Sequence, residues 1–144
     1  MKISKQIKSK ISKDGKLTIS IDNVEVPEPN EGEVLLKVQA TPINPSDLGL
    51  LVGPADVSSL KIIENGTKVE MKVPEALLRS VTARLDQNLP VGNEGSGVVE
   101  VAGKGAEHLI GKTVGVAGGA MYSEYRCLPA SSLSLIHISE PTRL

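Results

Sequence analysis

The chain has 144 residues, with 16 Lys and Arg against 17 Asp and Glu, and it contains a single cysteine. A chain of this length and composition can bury a core without disulfides or a metal. One cysteine excludes a disulfide scaffold and any cysteine-rich zinc site. A net charge of −1 and only two aromatic residues argue against nucleic-acid binding. No apolar run approaches the roughly 18 residues of a membrane span, so we expect a cytoplasmic protein that does not enter membranes.

The first 16 residues contain six lysines with isoleucines at positions 3, 7 and 11. Two interpretations are open: a basic targeting arm, or a solvated edge strand with one apolar face. The absence of arginine favours the strand. Asp14-Gly15 is typical of a tight hairpin turn, so we expect this strand to pair with the alternating segment at 17–21.

Residues 33–40 have the clearest strand pattern, with aliphatic side chains at every second position. After this strand, Pro42 and Pro45 stiffen a polar turn in which Ser46 and Asp47 can begin a short helix. A rigid polar turn after a central strand is a suitable place for a functional site.

Residues 54–89 read as an insertion packed on a β core. A hairpin turn is predicted at 64–67, and apolar residues at helical spacing predict an amphipathic helix over 75–86. The residues of this insertion suggest no function beyond shaping a substrate cleft.

From Val91 onward the chain is rich in glycine, and short strands with glycine corners predict a partly open β-barrel. The fold class is therefore mainly β, with one amphipathic helix in the insertion and short helical turns. Gly92, Gly95 and Gly97 suggest a phosphate loop, but a valine-rich strand pattern follows them where such a loop needs a helix. We therefore expect no nucleotide-binding loop here.

Metal-ligating residues are few. The only histidines are His108 and His137, and Cys127 lies on an apolar strand where a small core side chain is the simpler interpretation. A catalytic zinc needs at least three suitable ligands, so the sequence predicts no metal site.

Four motifs occur in an order typical of one enzyme family. They are Glu33-Val34-Leu35-Leu36-Lys37-Val38 followed by Asn44-Pro45-Ser46-Asp47, then Gly92-Asn93-Glu94-Gly95-Ser96-Gly97-Val98-Val99, Gly111-Lys112-Thr113-Val114 and Tyr122-Ser123-Glu124-Tyr125. Over residues 15–131 the chain resembles the N-terminal half of a medium-chain dehydrogenase/reductase, within the zinc-independent quinone oxidoreductase and enoyl reductase branch. The resemblance implies a GroES-like domain over residues 1–131, with the insertion at 54–89. It also implies a partner Rossmann domain, absent from this chain, that holds NADP or NAD.

The resemblance also implies site residues. Zinc-dependent members have Cys and His at the positions of Asn44 and Asn93, so we expect a reaction without zinc. Both asparagines are expected to line the catalytic cleft, and Asn44 is the first candidate for a hydrogen-bond donor to substrate and for a cofactor contact. Asp47 and Glu94 either act in the site or, as we favour, hold loops through hydrogen bonds. Related enoyl reductases place a catalytic tyrosine soon after this motif, and residues 48–54 contain none, which argues against enoyl-thioester reduction.

These observations predict the truncated substrate-side domain of an NAD(P)H-dependent oxidoreductase, inactive alone and compatible with a homo-oligomer. Its substrate would be a small carbonyl, enone or quinone. The alternative is a non-catalytic binding or assembly module that uses the same barrel.

The end of the chain has a different character. Residues 133–143 resemble a translated sequencing adapter, so we expect the natural part of this chain to break off near Ser131 or Ser132, where the family would continue toward its Rossmann domain. Residues 132–144 are then a non-native tail, which we expect to be coil or frayed, with packing of Leu133, Leu135, Ile136 and Ile138 as the alternative.

Overall fold

The computed structural model describes residues 1–136. Its ten strands are β1 (Lys2–Ile11), β2 (Lys16–Val26), β3 (Glu33–Ala40), β4 (Asp56–Ile63), β5 (Lys68–Lys72), β6 (Leu89–Pro90), β7 (Glu94–Ala102), β8 (Thr113–Ala117), β9 (Tyr125–Pro129) and β10 (Leu133–Leu135). The two α-helices are α1 (Pro45–Leu51) and α2 (Glu75–Leu78). Short 3-10 segments lie at Glu64–Gly66, Arg79–Arg84, Glu107–Leu109 and Ala130–Ser132.

The first sheet has the strand order β4-β5-β2-β1-β6. β1 and β2 form the predicted antiparallel hairpin, and Gly15 takes a φ of +87° at its turn. A positive φ of this size favours glycine, because the Cβ of any other residue would crowd the backbone. Four buried apolar residues form the core beneath this sheet: Ile11, Leu17, Met71 and Val73.

The second sheet has the strand order β10-β8-β7-β3-β9, again antiparallel. Its core contains Val34, Leu36, Val99, Val114 and Leu128 among other buried residues. Neither sheet closes on itself, so the predicted mainly β, partly open GroES-like fold is confirmed.

Strand β1 joins the two sheets and is not an edge strand, so that part of the prediction was wrong. It lies between β2 and β6, and its Ile7 N–H donates to the carbonyl of Tyr122 at 2.9 Å. Its apolar face is also incomplete, because Ile3 is 60% exposed while Ser4 is fully buried. Burial of Ser4 is stabilised by the backbone N–H of Tyr125, which donates to the serine Oγ at 3.0 Å.

The insertion extends the first sheet, since its hairpin of β4 and β5 pairs with β2. The predicted helix over 75–86 forms only one α-turn, α2, and continues as a 3-10 segment that kinks at Val81. The N–H of Asp86 donates to the carbonyl of Ile11 at 2.7 Å, and this tertiary bond holds the chain where a regular helix would continue. Leu78, Val81 and Leu85 still pack on the first core, while Leu77 is exposed.

The expectation of coil after Ser132 was wrong for the first residues of the tail. β10 pairs antiparallel with β8, with Leu133 opposite Val116 and Leu135 opposite Val114. The free edge of β8 offers backbone donors and acceptors, and Leu133 packs against the second core. The rest of the predicted tail, 137–144, lies outside the described residues, as does His137. Among residues 1–136, no helix has the length and apolar character needed to cross a membrane.

Candidate functional site

The polar turn after β3 leads into helix α1, which begins at Pro45, one residue before the predicted start at Ser46. Asn44 is the N-cap, with extended backbone angles, and Pro45 occupies the first helical turn. Proline suits this position because its missing N–H would have no partner there. The Asp47 carboxylate reaches back to accept the backbone N–H of Asn44 at 2.8 Å. This bond fixes the direction in which the chain enters the helix.

Asp47 is the buried centre of the site, with only 1% of its surface exposed. One carboxylate oxygen accepts the Asn44 N–H, and the other accepts the backbone N–H of Asn93 at 3.1 Å. The Tyr122 hydroxyl lies 3.2 Å from the first oxygen and 3.1 Å from the carbonyl of Pro42. Three donors from three separate segments therefore surround this carboxylate, and its hydrogen bonds link these segments.

Tyr122 responds to this environment. Burial raises the pKa of its phenol, and the neighbouring Asp47 carboxylate raises it further. The sequence placed Tyr122 inside a family motif but gave it no role.

The segment that carries Asn93 is held by close backbone packing. Gly92 has a φ of +105°, and a Cβ at this position would lie 2.6 Å from the backbone nitrogen of Tyr122. Only glycine fits such a contact. The Asn93 carbonyl then accepts the N–H of Gly118 at 3.0 Å. These contacts place Asn93 beside the N-terminus of α1.

The structure brings all four predicted site residues together. The Asn44 side-chain amide donates to the Glu94 carboxylate at 3.2 Å, and the Asn93 amide donates to the Ser46 hydroxyl. Asn44 is half-buried, whereas Asn93 and Glu94 are exposed. An amide nitrogen has two hydrogens, so each asparagine can donate once more while keeping its present bond. The pair can thus offer hydrogen bonds to an oxygen atom of a ligand.

An apolar groove of about 500 Å³ lies next to the polar turn, although neither asparagine lines it. It includes Ile7, Ile21 and Ile43, the last of which directly precedes Asn44, and it shares Tyr122 with the Asp47 cluster. Ile43 is 71% exposed. The rest of its lining is polar: Lys5, Gln6, Thr41, Ser123 and Glu124. Small-molecule sites commonly combine apolar walls with polar groups.

Arg84 is the residue that sequence reasoning missed. It lies within the predicted helix over 75–86, to which the sequence assigned only a packing role, yet its guanidinium donates to the carbonyl of Gly49 at 2.9 Å, at the end of α1. No local sequence signal marks this contact, because the two residues are 35 positions apart.

Within residues 1–136, no three His, Cys, Asp or Glu side chains come close enough together to hold a metal ion. His108 is exposed on the 3-10 segment Glu107–Leu109. The Cys127 sulfur lies 3.9 Å from a carboxylate oxygen of Glu33. Burial raises the pKa of this thiol, with the Glu33 charge adding to the effect.

The described residues do not fit the diphosphate of a dinucleotide. Strand β7 begins at Glu94, two residues after Gly92, and β9 follows the Gly118-Gly119 turn after a short connection. Neither glycine segment leads into a helix whose N-terminus could meet an anion.

Comparison with solved structures shows several similar chains. A Bacillus thuringiensis protein assigned as an NADPH:quinone reductase matches with a TM-score of 0.61 and 22% identity, over 95% of this chain and 34% of its own. The JamJ enoyl reductase matches with a TM-score of 0.56 and 22% identity, over 91% of this chain and 35% of its own. The mycobacterial protein Rv1454c, solved with NADPH, matches with a TM-score of 0.50 and 21% identity, over 93% of this chain and 32% of its own.

The chain has a GroES-like fold. This GroES-like domain spans about a third of the length of each similar protein. At these identities the likeness establishes the fold alone. No protein-family model and no curated protein matches the sequence.

Proposed function

We propose that the chain is the substrate-side domain of a zinc-independent, NAD(P)H-dependent oxidoreductase of the medium-chain dehydrogenase/reductase superfamily. The observation that carries this proposal is the amide pair of Asn44 and Asn93, held around buried Asp47 on a fold shared with NADPH-linked reductases. Neutral amides stand where zinc-dependent relatives would place their metal ligands. They favour a site that acts through hydrogen bonds.

The substrate class follows from the groove and the amides together. Ile7, Ile21 and Ile43 would contact the apolar part of a quinone or enone, and Asn44 would donate to its carbonyl oxygen. Reduction of a conjugated carbonyl places negative charge on that oxygen, and a preorganised donor stabilises it. A reduced nicotinamide, when bound by the partner domain, supplies the hydride.

The remaining residues have supporting roles. Glu94 orients the Asn44 amide, and Ser46 orients the amide of Asn93. Asp47 is a positioning residue, since it binds the backbone beside both asparagines and is too buried to reach a ligand.

The wider setting is part of the same proposal. The natural protein would continue after residue 131 into a Rossmann domain, in place of the tail at 132–144, and would work in the cytoplasm. The 144-residue chain alone would be inactive, because its described residues provide no cradle for the cofactor.

The proposal is tested with the intact protein, expressed from the source gene. We expect it to oxidise NADPH with duroquinone or cyclohexenone as the acceptor, at a rate that a chelator leaves unchanged. Asn44→Ala should lower kcat by about 100- to 1,000-fold, as expected for loss of one oxyanion donor. Asn88→Ala removes an exposed amide from the insertion and serves as the matched control.

Two results would contradict the proposal. Loss of activity with a chelator, restored by zinc, would overturn the metal-free reaction. Absence of NADPH oxidation with every acceptor, in a protein that still binds duroquinone, would favour the non-catalytic binding module.

A further inference from the structure

Arg84 connects the insertion to the end of helix α1 that lies opposite the candidate site. Its Nη1 donates to the carbonyl of Gly49 at 2.9 Å, and its Nη2 contacts the carbonyl of Leu50 at 3.4 Å and the hydroxyl of Ser9 at 3.2 Å. The last carbonyls of a helix have no partner within it, so a guanidinium satisfies them well. The Ser9 hydroxyl also donates to the Leu50 carbonyl, which ties this cluster to β1.

The local backbone is shaped around the guanidinium. Gly53 has a φ of +45°, and a Cβ there would lie 2.7 Å from the Gly49 oxygen and 3.5 Å from Nη1 of Arg84. Any larger residue would push the chain against the carbonyl that Arg84 binds. The Arg84 Nε is buried and has no partner among the described residues, so the contacts at Nη1 and Nη2 hold the whole guanidinium.

Helix α1 is too short to hold its own position. It has seven residues, and isolated helices of this length are unstable in water. Asp47 holds its first turn and the Arg84 cluster holds its last turn. The two attachments are separated by a single helical turn, so a shift at one end moves the other.

We propose that Arg84 is a positioning residue for the amide pair, and that the insertion at 54–89 supplies it for this purpose. By fixing the end of α1, Arg84 determines the positions of Asn44 and Asp47. Through the hydrogen bond from the Asn93 N–H to Asp47, it also determines the position of the Asn93 segment. The catalytic consequence rests on the proposed function. The effect of Arg84 on the position of α1 does not rest on the proposed function, and it can be measured on the 144-residue chain alone.

The test compares amide hydrogen exchange, followed by NMR, in the wild type and in Arg84→Met. Arg79→Met is the matched control, because Arg79 is an exposed arginine in the same insertion. We expect exchange of the Asn44 and Asn93 amides to accelerate at least about ten-fold in Arg84→Met, since local opening governs their exchange. The amide of Val99, bonded to the Lys112 carbonyl in the second sheet, should be unchanged and is the internal reference.

Two outcomes would overturn the inference. Acceleration confined to the Val52 and Gly53 amides would mean that Arg84 only satisfies the end of the helix. Equal acceleration at Val99 would mean a general loss of stability.

Arg84→Lys keeps the positive charge but loses the two guanidinium nitrogens Nη1 and Nη2, so it is the second test variant if Arg84→Met fails to fold. It should accelerate exchange at Asn44 and Asn93 by a smaller factor than Arg84→Met, and no acceleration there would also overturn the inference. Because no activity is measured, failure of the proposed function cannot be mistaken for failure of this inference.

Discussion

The Asp47 carboxylate shows how one side chain can organise a site without touching a ligand. It is buried, and it accepts hydrogen bonds from the backbone of Asn44 and Asn93 and from the Tyr122 hydroxyl. A buried carboxylate needs such donors because desolvation of its charge is costly. The backbone of Asn44 and Asn93 is therefore held as firmly as the carboxylate itself.

Replacing Tyr122 by Phe tests this cluster. We expect Tyr122→Phe to lower the free energy of unfolding by about 1 kcal/mol at pH 7, because Asp47 keeps only two of its donors. Burial raises the pKa of Tyr122 above its ordinary value of 10.0, so the folded protein keeps the phenol proton to higher pH than the unfolded chain does. The contribution of the hydroxyl is thus complete below pH 10 and is lost as the pH rises through the raised pKa.

The measurement for Tyr122→Phe is urea unfolding of both proteins between pH 7 and pH 11. The difference in stability should shrink above pH 10. A difference that stays constant over this range would contradict the assigned environment of Tyr122.

Strands β3 and β7 show how elements depend on particular small residues. A Cβ on Gly97 would lie 2.1 Å from the carbonyl oxygen of Lys37, on the neighbouring strand β3. The pairing of these strands shifts register between Val38 and Ala40, just before Asn44. The close approach at Gly97 therefore helps to set where the polar turn leaves the sheet.

We expect Gly97→Ala to destabilise the protein by about 2 to 3 kcal/mol, since backbone must move to admit the methyl group. Gly118→Ala is the control, because its Cβ would meet only the Val116 side chain, at 3.6 Å. Thermal unfolding of both variants checks the prediction. Equal melting temperatures for the two would show that β3 and β7 are not as close as described.

At the scale of the whole molecule, the two sheets meet where β1 passes β9. The Tyr125 N–H donates to the buried Ser4 hydroxyl, the Ile7 N–H to the Tyr122 carbonyl, and the Glu124 N–H to the Lys5 carbonyl. Tyr122 belongs to both this junction and the Asp47 cluster. The candidate site is thus held by the same contacts that join the sheets.

Ser4→Ala should reduce the free energy of unfolding by about 1 to 3 kcal/mol, because it leaves the Tyr125 N–H buried without an acceptor. Ser80→Ala is a matched control at an exposed position whose hydroxyl bonds only to the nearby Leu77 carbonyl. We expect it to change stability by less than about 0.5 kcal/mol. Urea unfolding followed by circular dichroism measures both. If Ser4→Ala lowered the free energy of unfolding no more than Ser80→Ala, Ser4 would not stabilise the junction.

Local patterns in the sequence were sufficient to predict several elements of this fold. The Asp14-Gly15 hairpin, the strand at 33–40 and a short helix starting near Ser46 were all predicted, because each depends on neighbouring residues and their backbone preferences. The motifs also pointed to the GroES-like fold and placed Asn44 and Asn93 in one site.

Only the tertiary structure decided how that site is held. Asp47 meets Asn93 and Tyr122 across 46 and 75 positions, and Arg84 meets Gly49 across 35. Tertiary bonds also turned the predicted helix over 75–86 into a short kinked segment, and a free strand edge ordered β10. Such contacts depend on where distant segments meet after folding, and neither hydrophobic periodicity nor residue preference encodes that in a local stretch of sequence.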